Sequence, residues 1–237
     1  MITELKWDSE LFGSKIGRLV IKPAQIPYLQ SVLGSAESEG FHYITCSIKS
    51  QDISLVRALE SSGFYLTDIG VTLSVEAESS LNPEKLTNFR KDVITPATHK
   101  DVPAVQRLVK SLFLHGRFYH DPFFSREEAD RLYQAWVENA IRGNVADIVF
   151  YARNTGFIVC KKTGRKSGEI SLIGIKKSKR GKGYGTALIK TAMEWFVAGD
   201  IDSIHVRTQL RNISSLNFYL SLGFSIEGYD LVFGKIL

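Results

Sequence analysis

A turn dense in glycine and positive charge, Lys177 to Leu188 (KSKRGKGYGTAL), separates two apolar stretches. The run Ile170 to Ile175 precedes it, and Leu188, Ile189, Ala192, Met193, Trp195 and Phe196 follow at helical spacing. A strand, a basic turn and a helix N-terminus in that order make a cradle for phosphate. The first N–H groups of a helix have no partner within it, and its dipole is positive at that end. Gly181, Gly183 and Gly185 let backbone approach oxygens with no Cβ in the way, and Arg180 and Lys182 add charge. The chemistry offered is anion binding; a plain solvated turn is the alternative.

Three phosphate-binding patterns compete for this turn. A Walker loop needs four residues between its glycine and a Gly-Lys-Ser/Thr, and no such string occurs. A dinucleotide fingerprint would use Asp200 or Asp202, about 20 residues beyond Gly181, as its ribose acid. It requires glycine where Thr186 stands, and a first glycine directly after the strand, whereas Lys176 to Arg180 intervene. The third pattern, Arg/Gln-x-x-Gly-x-Gly/Ala, is met in full by Arg180, Gly183 and Gly185. Downstream, Ile204 and Val206 alternate in a strand over Ser203 to Thr208. Asn212 then caps a helix, Ile213 to Leu222, which ends at Gly223 before a strand starting at Phe224.

Loop and helix together resemble the GNAT acetyltransferases: the pyrophosphate loop, then asparagine, tyrosine seven residues on, and Gly-Phe, here Asn212, Tyr219 and Gly223-Phe224. The resemblance implies an α/β GNAT fold, a mixed central sheet flanked by helices, with acetyl-CoA as co-substrate and no metal. It implies coenzyme contacts from Ile173 and Ile175, from Arg180, Gly181, Lys182, Gly183, Tyr184, Gly185 and Thr186, and from Asn212 to the pantetheine arm. Tyr219 becomes the general acid toward the departing thiolate. A reference pKa of about 10 keeps it protonated, and a thiol at roughly 8.5 is not far below. The amine's proton would go to Glu169 or Asp68. The oxyanion would meet a backbone N–H near Ile175, where the family's fourth strand carries a bulge. On the residues alone, Asn212 reads also as a bare N-cap and Tyr219 as a core aromatic.

The elements that must position these groups can be traced along the chain. Val93 to Thr98 reads as a strand, and Asp101 opens a helix with Val102, Val105, Leu108, Val109 and Leu112 on one face. An aromatic loop, Arg117 to Phe124, leads to a helix from about Arg126 to Ile141. Strands follow over Ile148 to Arg153, Phe157 to Lys161 and Glu169 to Ile175. The chain also repeats itself at an offset of 160. Ile44 to Ile48 aligns near Ile204 to Thr208, Ile53-Ser54 with Ile213-Ser214, and Ser61, Gly63 and Phe64 with Ser221, Gly223 and Phe224. Leu59 stands where Tyr219 stands, and no Arg-x-x-Gly-x-Gly precedes it. The expected division is a degenerate GNAT-like half-domain over 1–75, structural or substrate-side. A polar linker over 76–92 and a GNAT domain over 93–237 follow.

With 237 residues and 44% hydrophobic content, the chain can bury a sizeable core. No apolar run approaches the roughly 18 residues of a membrane span, and the N-terminus MITELKWDSE has no charged-then-apolar signal pattern. The expectation is a cytoplasmic protein without membrane or nucleic-acid partners. Much of the +5 net charge concentrates at Lys161, Lys162, Arg165, Lys166, Lys176, Lys177, Lys179, Arg180 and Lys182, read as surrounding the coenzyme site and steering a polyanion, with a plain solvated basic face as the alternative. Cys46 and Cys160 read as small buried hydrophobes.

Residues 117–143 (RFYHDPFFSREEADRLYQAWVENAIRG) narrow the resemblance further, through Arg117-Phe118, Tyr133, Ala135-Trp136, Glu138-Asn139 and Arg142-Gly143. They are similar to bacterial nucleotide-sugar N-acetyltransferases of this family, which also share the half-copy and Trp7 followed by Phe12-Gly13. The implied acceptor is the amino group of a dTDP-linked 4-amino-4,6-dideoxy sugar used in cell-surface polysaccharide, transferred directly in a ternary complex. Arg117, Tyr119, Asp121 and Tyr133 are the candidate acceptor contacts, since arginine pairs a diphosphate bidentately and an aromatic ring stacks on a base. Tyr133 reads also as a core residue. Other amines (peptide, polyamine, aminoglycoside) and a non-catalytic acyl-CoA-binding module are the alternatives. A monomer and a homodimer both remain open.

Overall fold

A computed structural model describes residues 1–49, 52–77, 94–110 and 112–237. The expected linker lies outside them from residue 78 onward. The N-terminal part contains β1 (Ile2–Glu4), α1 (Lys6–Phe12), β2 (Ile16–Leu19), α2 (Leu29–Ser38), β3 (Tyr43–Lys49), α3 (Ile53–Ser61) and β4 (Tyr65–Glu76). The remainder contains β5 (Ile94–Pro96), α4 (Val102–Val109), α5 (Arg126–Ile141), β6 (Ile148–Ala152), β7 (Gly156–Lys162) and β8 (Ser167–Ile175). It closes with α6 (Tyr184–Ala198), β9 (Ser203–Gln209), α7 (Ile213–Ser221) and β10 (Ser225–Ile236). Local chemistry sets several boundaries. Ser125 and Glu128 form a reciprocal capping box at the start of α5, and Gly223, at φ 91°, ends the turn after α7.

The ten strands among the described residues join one sheet, in the order β1-β2-β3-β10-β4-β9-β8-β7-β6-β5. The 160-residue repeat is explicit in it: β3, α3 and β4 have the same bounds as β9, α7 and β10 once 160 is added. The last strand of each repeat, however, pairs with the other repeat. β4 lies against β9, and β10 lies against β3. β4 and β10 pair antiparallel, with Gly70 opposite Asp230, its own counterpart 160 residues on. An approximate two-fold axis therefore passes between these central strands. The exchange pairs both edges of β4 and β10, which leaves no open strand edge in the middle of the molecule. The boundary expected between residues 75 and 93 divides the chain but not the sheet.

Strand alternation sorts side chains to two faces. Leu231 of the α2/α3 core stands opposite Ile69, two residues from Val71 of the α6/α7 core, so these two cores share a face. The other face carries a core built by Phe12 of α1, Val105 and Val109 of α4, and Leu132, Tyr133 and Val137 of α5. Both cysteines are buried and free; burial pushes the Cys46 thiol up to about 11 and raises Cys160 as well. No helix among the described residues is long and apolar enough to cross a membrane.

Candidate active site

β8 and β9 run parallel but stay paired only from Ser167–Ser203 to Ile170–Val206. β8 continues to Ile175 and β9 to Gln209, so beyond Ile170 the two edges part. A bulge marks that point: Cys160 faces Ile170 and Val159 faces Leu172, leaving Ser171 as the extra residue. It reverses the alternation. Ile170 packs in the α6/α7 core, Leu172 in the opposite one, and Ile173 and Ile175 return to the α6 side. The bulge was expected near Ile175. It sits four residues earlier, because Ile175 keeps regular register with Gly156.

Past Ile175 the loop is fastened to the strand end. Lys176 donates its N–H to the Thr155 carbonyl at 2.8 Å, and Arg180 Nε donates to the Ile175 carbonyl at 3.1 Å. Gly181 (φ 71°) and Gly183 (φ 78°) are left-handed, and Gly183 is the N-cap of α6. The loop is exposed, and Gly185 and Thr186 stand in the first turn of α6, where N–H groups lack intrahelical partners. Gly185 serves a second purpose: a Cβ there would lie 3.1 Å from the Phe218 ring, so its absence seats α6 on α7. A diphosphate fits this loop. An arm bearing amides, such as pantetheine, fits a gap whose walls are two strand edges.

The basic residues form two groups rather than one. β8 holds Lys161, Lys162, Arg165 and Lys166 about 20 to 26 Å from the loop, since Lys161 pairs with Glu169 and Lys162 with Gly168 near its start. Lys162 Nζ lies 5.3 Å from the Trp195 ring, and Lys166 Nζ meets Asp200 at 2.6 Å and Asp202 at 3.4 Å. Those aspartates stand at the far end of α6, which removes them as ribose acids for the glycine loop.

Asn212 caps α7, accepting from the Ser215 N–H at 3.3 Å while its Nδ2 donates to Thr208 Oγ1 at 3.4 Å. Tyr219 is 3% exposed, in the α6/α7 core, with ring centroids 5.5 Å from Phe218 and 5.4 Å from Phe224. Burial alone raises its phenol above the ordinary value, so it remains a proton donor across the neutral range.

The acceptor candidates lie on the opposite face of the sheet. Asp68, 4% exposed, has its carboxyl raised, because burial outweighs the opposing pull of Arg211, the Ile69 N–H, Arg207 and Arg117. Glu169 stands elsewhere, in register with Lys161 and His205, one strand position before Ile170. Arg117 Nη1 donates to Thr45 Oγ1 at 2.9 Å, with its guanidinium 4.5 Å from the Phe118 ring. Tyr119 donates to Asp130 at 2.5 Å and stacks on Tyr133 at 5.8 Å. Both Asp121 oxygens are taken by protein donors, and the Tyr133 ring packs among Phe113, Tyr119 and Trp136, so both act as internal supports of the loop. The sequence had placed them with Arg117 and Tyr119 because interleaved aromatics and charges look alike whether a loop is solvated or clamped.

Several polar residues here escaped the sequence reading. Arg207 reaches Asp230 through both terminal nitrogens, Nη2 to Oδ2 at 2.7 Å, and Ser47 donates to the same carboxylate. Arg211 Nη2 donates to the Thr67 carbonyl at 2.9 Å, and its Nε lies 3.7 Å from Asp68. Tyr43 and Tyr65 both bond Asp121. The available signal was the polar member of each alternating pair in β3, β4 and β9, which becomes interpretable only once the strands are ordered.

Residues 111–224 match the acetyltransferase (GNAT) family. The dTDP-fucosamine acetyltransferase of Escherichia coli O6:H1 is 24% identical over 233 residues, covering 95% of this chain and 94% of that one. The spore coat polysaccharide biosynthesis protein SpsD of Bacillus subtilis is 24% identical over 135 residues, 56% of this chain and 46% of that one. A solved GCN5-related N-acetyltransferase of Sphaerobacter thermophilus superposes with a TM-score of 0.64 over 94% of this chain and 72% of that one. At 13% identity the likeness is one of fold.

Proposed function

Residues 111–224 are a GNAT acetyltransferase domain, and from that premise we propose that the enzyme acetylates the amino group of a nucleotide-linked amino sugar. The acetyl donor is acetyl-CoA, and the transfer is direct, within a ternary complex. One observation carries the acceptor class. Arg117, in the acceptor-side loop, is held by the neutral Thr45 hydroxyl and forms no salt bridge among the described residues. A guanidinium in direct contact with no carboxylate, although Asp8 and Asp68 lie within electrostatic range, keeps its donors for an anionic acceptor such as a nucleoside diphosphate rather than for a polyamine or aminoglycoside. The near full-length likeness to a dTDP-fucosamine acetyltransferase supports a dTDP-linked 4-amino-4,6-dideoxy sugar.

Within this reading, Arg180, Lys182 and the N–H groups at Gly185 and Thr186 hold the diphosphate of the coenzyme. Gly181, Gly183 and Tyr184 shape the loop, and Ile173, Ile175 and Asn212 flank the arm. Acetyl-CoA, when bound, would supply an activated thioester, with coenzyme A as the leaving thiol. Asp68, whose raised carboxyl is a stronger base than an ordinary one, takes up the amine's proton, with Glu169 as the other candidate. Backbone at the Ser171 bulge, where the strands part, is the position from which an N–H can face developing oxyanion charge. Tyr219 returns a proton to the leaving sulfur. Arg117 and Tyr119 meet the nucleotide, with Asp121 and Tyr133 behind them.

The test is product mass spectrometry with acetyl-CoA and a panel of dTDP- and UDP-linked amino sugars, polyamines, peptides and aminoglycosides. Acetylation confined to sugar nucleotides is expected. A preference for a cationic amine would overturn the acceptor class.

A further inference from the structure

The N-terminal repeat has no coenzyme loop, and Leu59 occupies the position of the catalytic tyrosine. Its contacts point to a different task. Asp121 sits 2% exposed, at the base of the aromatic loop that carries Arg117 and Tyr119. The Tyr43 hydroxyl donates to its Oδ2, the Tyr65 hydroxyl to its Oδ1 at 2.9 Å, and the Phe123 N–H to Oδ1 at 3.1 Å. A buried carboxylate is costly unless its oxygens are met, and here both are. The two phenols come from β3 and β4, the swapped core of the N-terminal repeat. The grip extends beyond them. Thr45 of β3 holds Arg117, Phe12 of α1 packs on Phe118 at 6.1 Å and Phe124 at 4.6 Å, and Tyr43 stacks on Phe123 at 4.6 Å. Charge-assisted bonds are directional where apolar packing is not, so this arrangement fixes the loop's position as well as its burial.

We propose that the N-terminal repeat clamps the acceptor loop, residues 112–124, with Tyr43, Tyr65 and Asp121 as positioning residues that fix Arg117 in the acceptor site. The link to substrate rests on the acceptor site proposed above; the clamp itself does not. Tyr43→Phe, Tyr65→Phe, the double variant and Asp121→Asn test it. Hydrogen exchange across residues 112–124 reads the clamp, and acceptor KM, kcat and acetyl-CoA Kd read its consequence. In the double variant, exchange in the loop should rise at least tenfold with α6 unchanged. Acceptor KM should rise at least tenfold, with kcat and acetyl-CoA Kd within twofold. Unchanged exchange overturns the clamp, and faster exchange with acceptor KM within twofold overturns its role in positioning. Should the double variant or Asp121→Asn fail to fold, Tyr65→Phe alone decides by the same readings. If the wild-type enzyme acetylates no sugar nucleotide, the acceptor class fails by itself, and the exchange result still decides the clamp.

Discussion

At the residue scale, the proposed chemistry rests on two side chains. Tyr219 is buried with its phenol raised, which suits a donor that must stay protonated until sulfur departs. Tyr219→Phe removes one hydroxyl and keeps the ring that Phe218 and Phe224 pack against. It should lower kcat by about 10² to 10⁴ with acetyl-CoA affinity nearly unchanged; near wild-type kcat would make it a core aromatic only. Asp68 makes a pH prediction. A base whose pKa is raised is protonated and idle below that value and active above it. The acid limb of kcat/KM should therefore lie above the ordinary carboxylate value of about 4, disappear in Asp68→Asn and persist in Glu169→Gln. The opposite pair of outcomes assigns the base to Glu169. The Asn212 cap of α7 and the glycine turn before α6 were legible as local structure because short motifs fix them. Asp121 and Tyr133, expected among the acceptor contacts, are buried, since nothing in one sequence tells a buried carboxylate with two phenol partners from an exposed one.

At the scale of elements, period and caps located most helices and strands closely: α5 begins after its Ser125 box, and α7 after Asn212. The bulge at Ser171 was not legible to within four residues, because it depends on how β7 and β8 align rather than on either strand alone. The repeat was readable as two copies, but the exchange of their last strands was not. Alternation identifies a strand's faces and says nothing of its neighbours. The exchange has a consequence for folding. Residues 1–92 would lack β10, which separates β3 from β4, and residues 93–237 would lack β4, which separates β9 from β10. Neither piece should fold alone, and the two co-expressed should recover one cooperative unit, as followed by circular dichroism. A cooperative thermal transition in the isolated 93–237 piece would contradict this.

Across the whole molecule, the two-fold arrangement of repeats carries an asymmetric division of labour. The C-terminal repeat keeps the parted strands, the glycine loop and the tyrosine; the N-terminal repeat supplies Tyr43, Thr45 and Tyr65 to the opposite face. In the reaction proposed above, donor and acceptor approach from different faces of one sheet and meet where β8 and β9 part. The account stands or falls on whether the acceptor is recognised through its nucleotide. The direct measurement is kcat/KM for a dTDP-linked amino sugar against the same amino sugar without its nucleotide, in the wild type and in Arg117→Met. The linked sugar should be favoured by at least about 10², and Arg117→Met should remove most of that preference, as expected when a charge-assisted phosphate contact is lost. Equal kcat/KM for the linked and free sugars in the wild-type enzyme would contradict it.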